Sequence, residues 1–211
     1  MTRVVFLLVP RLHLLDLAGP AQVFSTAADL GYGYELSYVA EQEDVPSAPG
    51  VPLRAGTARP EVGPGDLVLV PGWRAPTLRR HEGVSAEQAR RPAEHHALGG
   101  TVASVCAGAD ALGWAGLLEG RRCTTHHALQ EELAVRYPRA RVVRDVLYVI
   151  DDRVVTSAAI ASGIDLALHL VATRRGTGRA RRRGSRVRWW CTHAATGRNG
   201  RRARCCGIGP T

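Results

Sequence analysis

The chain has 211 residues, which is enough for one domain with a sizeable core, and its charge is unevenly distributed. Residues 173–211 contain 12 Arg and no Asp or Glu, whereas residues 1–172 hold 16 Arg against 19 acids, a formal charge of −3. The net charge of +9 therefore arises in the C-terminal segment, and the weakly acidic body argues against nucleic-acid binding through its own surface.

Cysteine spacing and hydropathy argue against several further classes of protein. Cys106 and Cys123, the two cysteines of the body, lack the spacing of a disulfide framework or of paired zinc knuckles, so we predict no metal and no cofactor. The apolar run at residues 3–9 is too short to span a membrane, and no cleavage site typical of a signal peptide follows it. We expect a cytoplasmic protein with reduced thiols and no membrane partner.

Apolar, β-branched runs alternate with segments of helical periodicity along the body. This alternation predicts an α/β fold with a doubly wound, mostly parallel sheet and helices on both faces. The predicted strands are 3–9, 34–40, 67–70, 101–105, 120–125, 141–144, 147–150 and 154–157, with an irregular edge excursion at 46–55. The predicted helices are 15–30, 85–98, 110–118, 129–137 and 161–171.

Sites in such sheets form beyond the carboxyl ends of the strands. Segments 10–16, 71–73 and 106–108 each follow a predicted strand, so we expect them to converge on one pocket. Histidines in the polar region before and within the second helix are expected at the surface. They are His81, His95 and His96.

The segment around Cys106 is the most informative part of the chain. A short apolar strand ends on this cysteine, small residues follow at 107–109, and a helical segment then begins. This order predicts a nucleophile elbow, in which a sharp turn lifts a reactive side chain above the sheet edge. The N-terminus of the following helix would lower the pKa of the thiol and favour the reactive thiolate. The alternative is a buried core cysteine at a strand end.

Residues 173–211 have neither strand nor helix periodicity and admit three interpretations. An Arg/Gly-rich tail could bind nucleic acid, with Trp189 and Trp190 stacking on bases. The segment could instead be disordered without function. We favour a third interpretation, a shift of the reading frame near residue 173, because enrichment in Arg, Gly, Ala, Cys and Trp without acids or Lys is typical of out-of-frame GC-rich coding sequence.

With Cys106 on its elbow, the body resembles the ThiJ/PfpI superfamily over residues 3–171. The resemblance rests on several motifs that follow one another in this order along the chain, namely Leu14–Phe24, Asp66–Gly72, Val105–Gly108, Ala115–Gly120 with Thr124–His126, and Val155–Asp165. It implies a flavodoxin-like fold related to the class I glutamine amidotransferases, as one domain over residues 1–172. Two branches of the superfamily are most similar to this sequence. One is the sensor half of AraC-type transcriptional regulators, which precedes a helix-turn-helix DNA-binding domain, and the other is the isonitrile hydratase-like enzymes.

The resemblance also implies roles for individual residues. Asp16 would face the thiol of Cys106, although an acid at a helix start is also favoured by the helix dipole. The N–H groups of Gly72 and Ala107 would form an oxyanion hole, although Pro-Gly is also an ordinary turn. His126 would approach Cys106 and orient or protonate a ligand. Trp73, beside Gly72, completes the predicted ligand-binding residues.

Ala107 departs from both enzymatic patterns. The protease and amidase-like branch has a histidine directly after the nucleophile, and isonitrile hydratase-like enzymes have a threonine there. We therefore expect a pocket that holds a small carbonyl- or nitrile-like ligand but is poorly equipped to turn it over. The leading hypothesis is a ligand-sensing domain of an AraC-type regulator, without the DNA-binding half in this chain.

The alternative hypothesis is a Cys106-dependent small-molecule enzyme, namely a hydratase, glyoxalase or deglycase-like protein. The resemblance further implies a homodimer. Under the sensor hypothesis, DNA would be contacted only through a C-terminal domain that this chain lacks.

Overall fold

The structure is a computed structural model that describes residues 1–75, 77–78, 84–159 and 161–173. The predictions for His81 and, apart from Thr173, for the Arg-rich segment 173–211 lie outside the described residues.

A six-stranded sheet forms the centre of the fold. Its strands are β1 Thr2–Leu7, β2 Tyr34–Val39, β5 Leu67–Val70, β6 Thr101–Val105, β9 Tyr148–Asp151 and β10 Val154–Ser157. They lie in the order β2-β1-β5-β6-β10-β9, and all neighbouring strands are parallel except β9, which runs antiparallel to β10 at one edge. The predicted mostly parallel α/β sheet is confirmed, and β5, β6 and β10 have the predicted bounds.

The helices that connect the strands are α1 Leu14–Asp29, α2 Ala86–Ala97, α3 Ala109–Trp114, α4 Gln130–Arg136 and α5 Ser162–Thr173. Four of them pack in two pairs, α1 against α5 and α2 against α3. None of the described helices has the length and apolarity that a membrane crossing requires, and the longest, α1, has 16 residues.

Helix α3 is shorter than predicted because the chain reverses at Gly116, where φ is +74°. The N–H of Leu117 donates to the carbonyl of Leu112, and the N–H of Gly116 donates to that of Gly113. These two bonds form a Schellman motif, which ends a helix at a left-handed glycine.

Four short strands form two ribbons outside the main sheet. β3 Asp44–Pro46 and β4 Pro52–Arg54 pair antiparallel, where an irregular excursion was expected. β7 Arg122–Cys123 and β8 Arg141–Val142 pair in parallel only with each other. The predicted strands 120–125 and 141–144 are therefore wrong in length, since β7 and β8 have only two residues each. β7 lies beside the edge strand β9, where the Arg122 N–H donates to the side chain of Asp151, but it does not join the ladder of the main sheet.

His95 contradicts the expected surface position, since its side chain is only 2% exposed. It lies on the inward face of α2 with Gln88, Ala89 and Pro92, at the three- and four-residue spacing that aligns side chains along a helix. Its Nε2 lies 3.0 Å from the backbone oxygen of Asp66, so the buried ring has a polar partner next to β5.

Gly108 allows the turn after β6 to pack against the end of β5. A Cβ at this position would overlap the backbone carbonyl oxygen of Val70, which cannot move without disturbing the sheet. We expect Gly108→Ala to lower the free energy of unfolding by about 1–3 kcal/mol. Urea denaturation of this variant and of Gly65→Ala, where a Cβ would meet nothing within 4 Å, measures the difference. Equal losses in the two variants would contradict the predicted close packing.

Candidate functional site

Cys106 occupies a strained turn between β6 and α3, as the sequence predicted. Its φ is +55°, in the left-handed region that L-residues rarely adopt, and a single 3-10 turn, Cys106–Gly108, leads into α3. The side-chain oxygen of Thr125 donates a hydrogen bond of 2.7 Å to the backbone oxygen of Cys106. Such strain persists only where surrounding contacts hold it, and Thr125 supplies one of them.

The three segments predicted to converge do meet, and Gly72 lies between the other two. Its N–H donates a 3.1 Å hydrogen bond to Oδ2 of Asp16. A Cβ at Gly72 would lie 2.5 Å from that oxygen, 2.7 Å from Cβ of Cys106 and 3.0 Å from the nitrogen of Ala107. Only glycine fits there, so the backbone itself forms the contact between the acid and the thiol.

Asp16 and Cys106 form a buried acid–thiol pair. Asp16 is 0% exposed and Cys106 is 4% exposed. Burial raises the pKa of Asp16 to about 7, although hydrogen bonds from the Gly72 N–H and the Cys106 thiol favour its ionised form. Burial and then the adjacent charge of Asp16 raise the pKa of Cys106 to about 12. The carboxyl group therefore loses its proton before the thiol does.

The expected lowering of the thiol pKa is wrong. The Ala107 N–H does favour the thiolate through a hydrogen bond, but loss of solvation and the neighbouring carboxylate outweigh it. Helix α3 has only six residues, which limits the dipole that it can direct at the sulfur. Cys106 is consequently a protonated thiol at neutral pH.

The predicted oxyanion-hole donors already have partners in this structure. The N–H of Gly72 donates to Asp16, and the N–H of Ala107 interacts with the sulfur of Cys106. Both groups lie at the site, but a ligand oxygen would have to compete for them. Their role toward a ligand stays a prediction.

His126 lies one residue beyond Thr125 and is half-buried. Its Nδ1 accepts a 3.3 Å hydrogen bond from the N–H of Ala128, and its ring contacts that of His127 at 4.2 Å between centroids. Trp73, in contrast, is 4% exposed and packs into the hydrophobic core, so it offers little surface to a ligand. The ligand roles of both residues stay predictions.

Two further residues at the site were not singled out from the sequence. The N–H of His13 donates to the carbonyl of Gly72 at 2.9 Å, and its ring interacts electrostatically with Arg74 and His126. Burial, then the charge of Arg74, lowers the pKa of His13. The sequence did contain a signal, because His13 lies inside segment 10–16 and Arg74 directly follows segment 71–73. Among the described residues, no group of three or more His, Cys, Asp and Glu side chains could hold a metal.

A doubly wound sheet whose central strand ends on a strained cysteine, faced by a buried carboxyl group, defines an α/β protein with a cysteine-centred site. The DJ-1/PfpI family model matches residues 2–173, and the chain belongs to this family. The resemblance to ThiJ/PfpI proteins is thereby confirmed.

Three individual proteins illustrate which members of the family the chain is similar to. The chain is 43% identical over 137 residues to an uncharacterized protein in the cpoL 5′ region of Streptomyces lividans, covering 64% of this chain and 95% of that protein. It is 32% identical over 172 residues to isonitrile hydratase of Pseudomonas putida, covering 78% and 68% respectively. An AraC family transcriptional regulator from Pseudomonas putida superposes with a TM-score of 0.71 at 22% identity, covering 84% and 95%, which shows a shared fold.

The raised pKa of Asp16 links folding to pH. The folded state holds this proton more tightly than the unfolded chain, so the contribution of Asp16 is most favourable below pH 4 and is lost as pH rises to about 7. The loss amounts to about 4 kcal/mol at 1.36 kcal/mol per pKa unit. We expect Asp16→Asn, which keeps an acceptor for the Gly72 N–H, to flatten this pH dependence.

Urea denaturation between pH 4 and 8 measures this effect. Asp29→Asn is the matched control, because Asp29 is an exposed acid of the same helix. The expectation fails if the stability of Asp16→Asn and of the unaltered protein changes in parallel with pH.

Proposed function

We propose that residues 1–172 form the ligand-sensing domain of a transcriptional regulator of the AraC type, with Cys106 as the ligand contact. The acid–thiol pair carries this proposal. A strained turn holds the thiol among backbone groups, where it is 4% exposed, and burial and Asp16 keep that thiol protonated at neutral pH. Such a site favours binding over rapid nucleophilic attack, because the thiolate is the nucleophile.

The surroundings of Cys106 support binding without turnover. Ala107 has no hydroxyl or imidazole to take part in chemistry, and it is 1% exposed. The Gly72 and Ala107 N–H groups have partners within the protein, so an oxyanion would gain little from them. We infer that the pocket holds a small carbonyl- or nitrile-like molecule against the thiol.

DNA recognition would then belong to a separate helix-turn-helix domain. The formal charge of −3 over residues 1–172 suits a domain that does not contact DNA itself. The fold shared with an AraC family regulator supports the assignment of this domain to such proteins. Assembly as a homodimer and a cytoplasmic location are part of the same proposal.

A ligand screen tests the sensor role. Small aldehydes, ketones and nitriles should include at least one that raises the melting temperature, and Cys106→Ala should abolish that shift. Cys123→Ala is the matched control, since Cys123 is the other buried thiol of the described residues. Each variant is compared with its own ligand-free baseline, which removes its effect on stability. A ligand-induced shift of equal size in Cys106→Ala would refute Cys106 as the contact.

Catalysis is the second candidate function, and the pKa of Asp16 favours it. A carboxyl group with a pKa of about 7 can accept and donate a proton near neutral pH, which suits general acid–base work beside a thiol. The 32% identity to isonitrile hydratase points to the same class. The reaction would add water to an isonitrile and yield the N-substituted formamide.

Incubation with methyl isocyanide and detection of N-methylformamide separate the two functions. The sensor proposal expects no product above the level in buffer. Steady turnover that is lost in Cys106→Ala and kept in Cys123→Ala would instead establish the enzyme.

A further inference from the structure

Each segment that forms the acid–thiol site also presents a basic side chain next to it. His13 precedes Asp16 at the start of α1, and the Asp16 N–H donates to the His13 carbonyl at 3.1 Å. Arg74 follows Gly72 by two residues, and the backbone N–H of Arg74 donates to the backbone carbonyl of Arg11 at 2.9 Å. His126 follows Thr125, which bonds the Cys106 carbonyl.

These side chains, together with His127, form a basic rim. The rings of His126 and His127 lie 4.2 Å apart. Burial, then the charges of His127 and His13, lowers the pKa of His126, and Arg74 acts in the same sense on His13. Neighbouring members of the rim therefore disfavour each other's protonated forms, in the pairs Arg74–His13, His13–His126 and His126–His127.

Within the described ranges, no carboxylate forms an ion pair with any member of the basic rim. The ion pairs found between described residues join acids to arginines outside the rim. Asp16 lies beside the rim, but it contacts the Gly72 N–H and the thiol. Among the described residues, the positive charge of Arg74 is thus not balanced by a paired carboxylate.

The rim offers hydrogen-bond donors that an anion could use. Arg74 is exposed, and its guanidinium carries five N–H donors in a planar fork that matches a carboxylate. Nδ1 of His126 accepts from the Ala128 N–H, which places the hydrogen of the neutral ring on Nε2. The ring of His13 interacts with the backbone of Trp73, which fixes its position beside Gly72.

We propose that the ligand is a small 2-oxo acid, whose carboxylate binds the basic rim at Arg74 and His126 while its carbonyl group lies against Cys106. This inference rests on the proposed ligand site at Cys106 and adds the charge of the ligand to it. Arg74 neutralises the carboxylate, and the carbonyl group contacts the sulfur of Cys106, whose S–H remains hydrogen-bonded to Asp16. A neutral carbonyl compound of the same shape can accept a hydrogen bond from the rim, but it has no charge opposite to that of Arg74.

Pyruvate and pyruvamide test this charge preference, because the two molecules have almost the same shape and differ in charge. We expect pyruvate to bind at least about tenfold more tightly than pyruvamide by isothermal titration calorimetry, and its affinity to fall as NaCl rises. Arg74→Gln should weaken pyruvate about tenfold and weaken pyruvamide by a clearly smaller factor, because only pyruvate loses a charge–charge attraction. Arg139→Gln is the matched control, since Arg139 is an exposed arginine paired with Glu119 outside the site.

The possible outcomes separate this inference from the proposed function. Equal affinity for the two probes, or no measurable binding of pyruvate, overturns the 2-oxo acid assignment. If pyruvamide, or a neutral compound from the screen, still needs Cys106, the ligand site stands and only the rim inference fails. If pyruvate binding depends on Arg74 but survives Cys106→Ala, the rim binds anions but the carbonyl group does not lie against the thiol, which also overturns the inference. His126→Gln provides a second rim variant, with a smaller loss of pyruvate affinity expected.

Discussion

The close approach of the Gly72 backbone to Asp16 and Cys106 is the constraint on which the rest of the site depends. The peptide lies where any side chain would overlap both an acidic oxygen and the cysteine Cβ. This approach brings the ends of β1, β5 and β6 together and excludes water between the acid and the thiol. The left-handed turn at Cys106 and the Thr125 bond to its carbonyl complete the arrangement.

Exclusion of water has a direct chemical consequence. Poor solvation raises the pKa of both the carboxyl group and the thiol, and the carboxyl group, as the stronger acid, ionises first. The negative charge then opposes ionisation of the thiol. The same contact that shapes the site therefore restrains the reactivity of its cysteine. The proposal of a ligand-binding rather than a catalytic role rests on this connection.

The parts of the molecule that depend on local pattern could be predicted from sequence. Buried strands such as Leu67–Val70 and the turn at Cys106 follow from continuous apolar runs that end on small residues. Properties that depend on residues far apart in the sequence but close in the fold could not be predicted. The sign of the thiol pKa shift depends on Asp16, 90 positions away, and the burial of His95 depends on how α2 is rotated against β5 and β6. Likewise, the 122–123 and 141–142 strands have β-prone sequences, but they pair with each other and not with the central sheet, which local sequence does not determine.

The site has two parts: the backbone of Gly72, which forms its floor against Asp16 and Cys106, and the side chains of the basic rim around it. This division limits how the site can diversify. The floor cannot be enlarged or reduced in small steps, because every residue larger than glycine at position 72 would overlap two groups at once. The positions around it, 13, 74 and 126, are partly or fully exposed, and they accept substitutions without repacking the core. Under the proposed function, a lineage that keeps this floor would acquire new ligands by exchanging the rim residues at 13, 74 and 126 one at a time. An engineer who wishes to change the selectivity would use the same three positions.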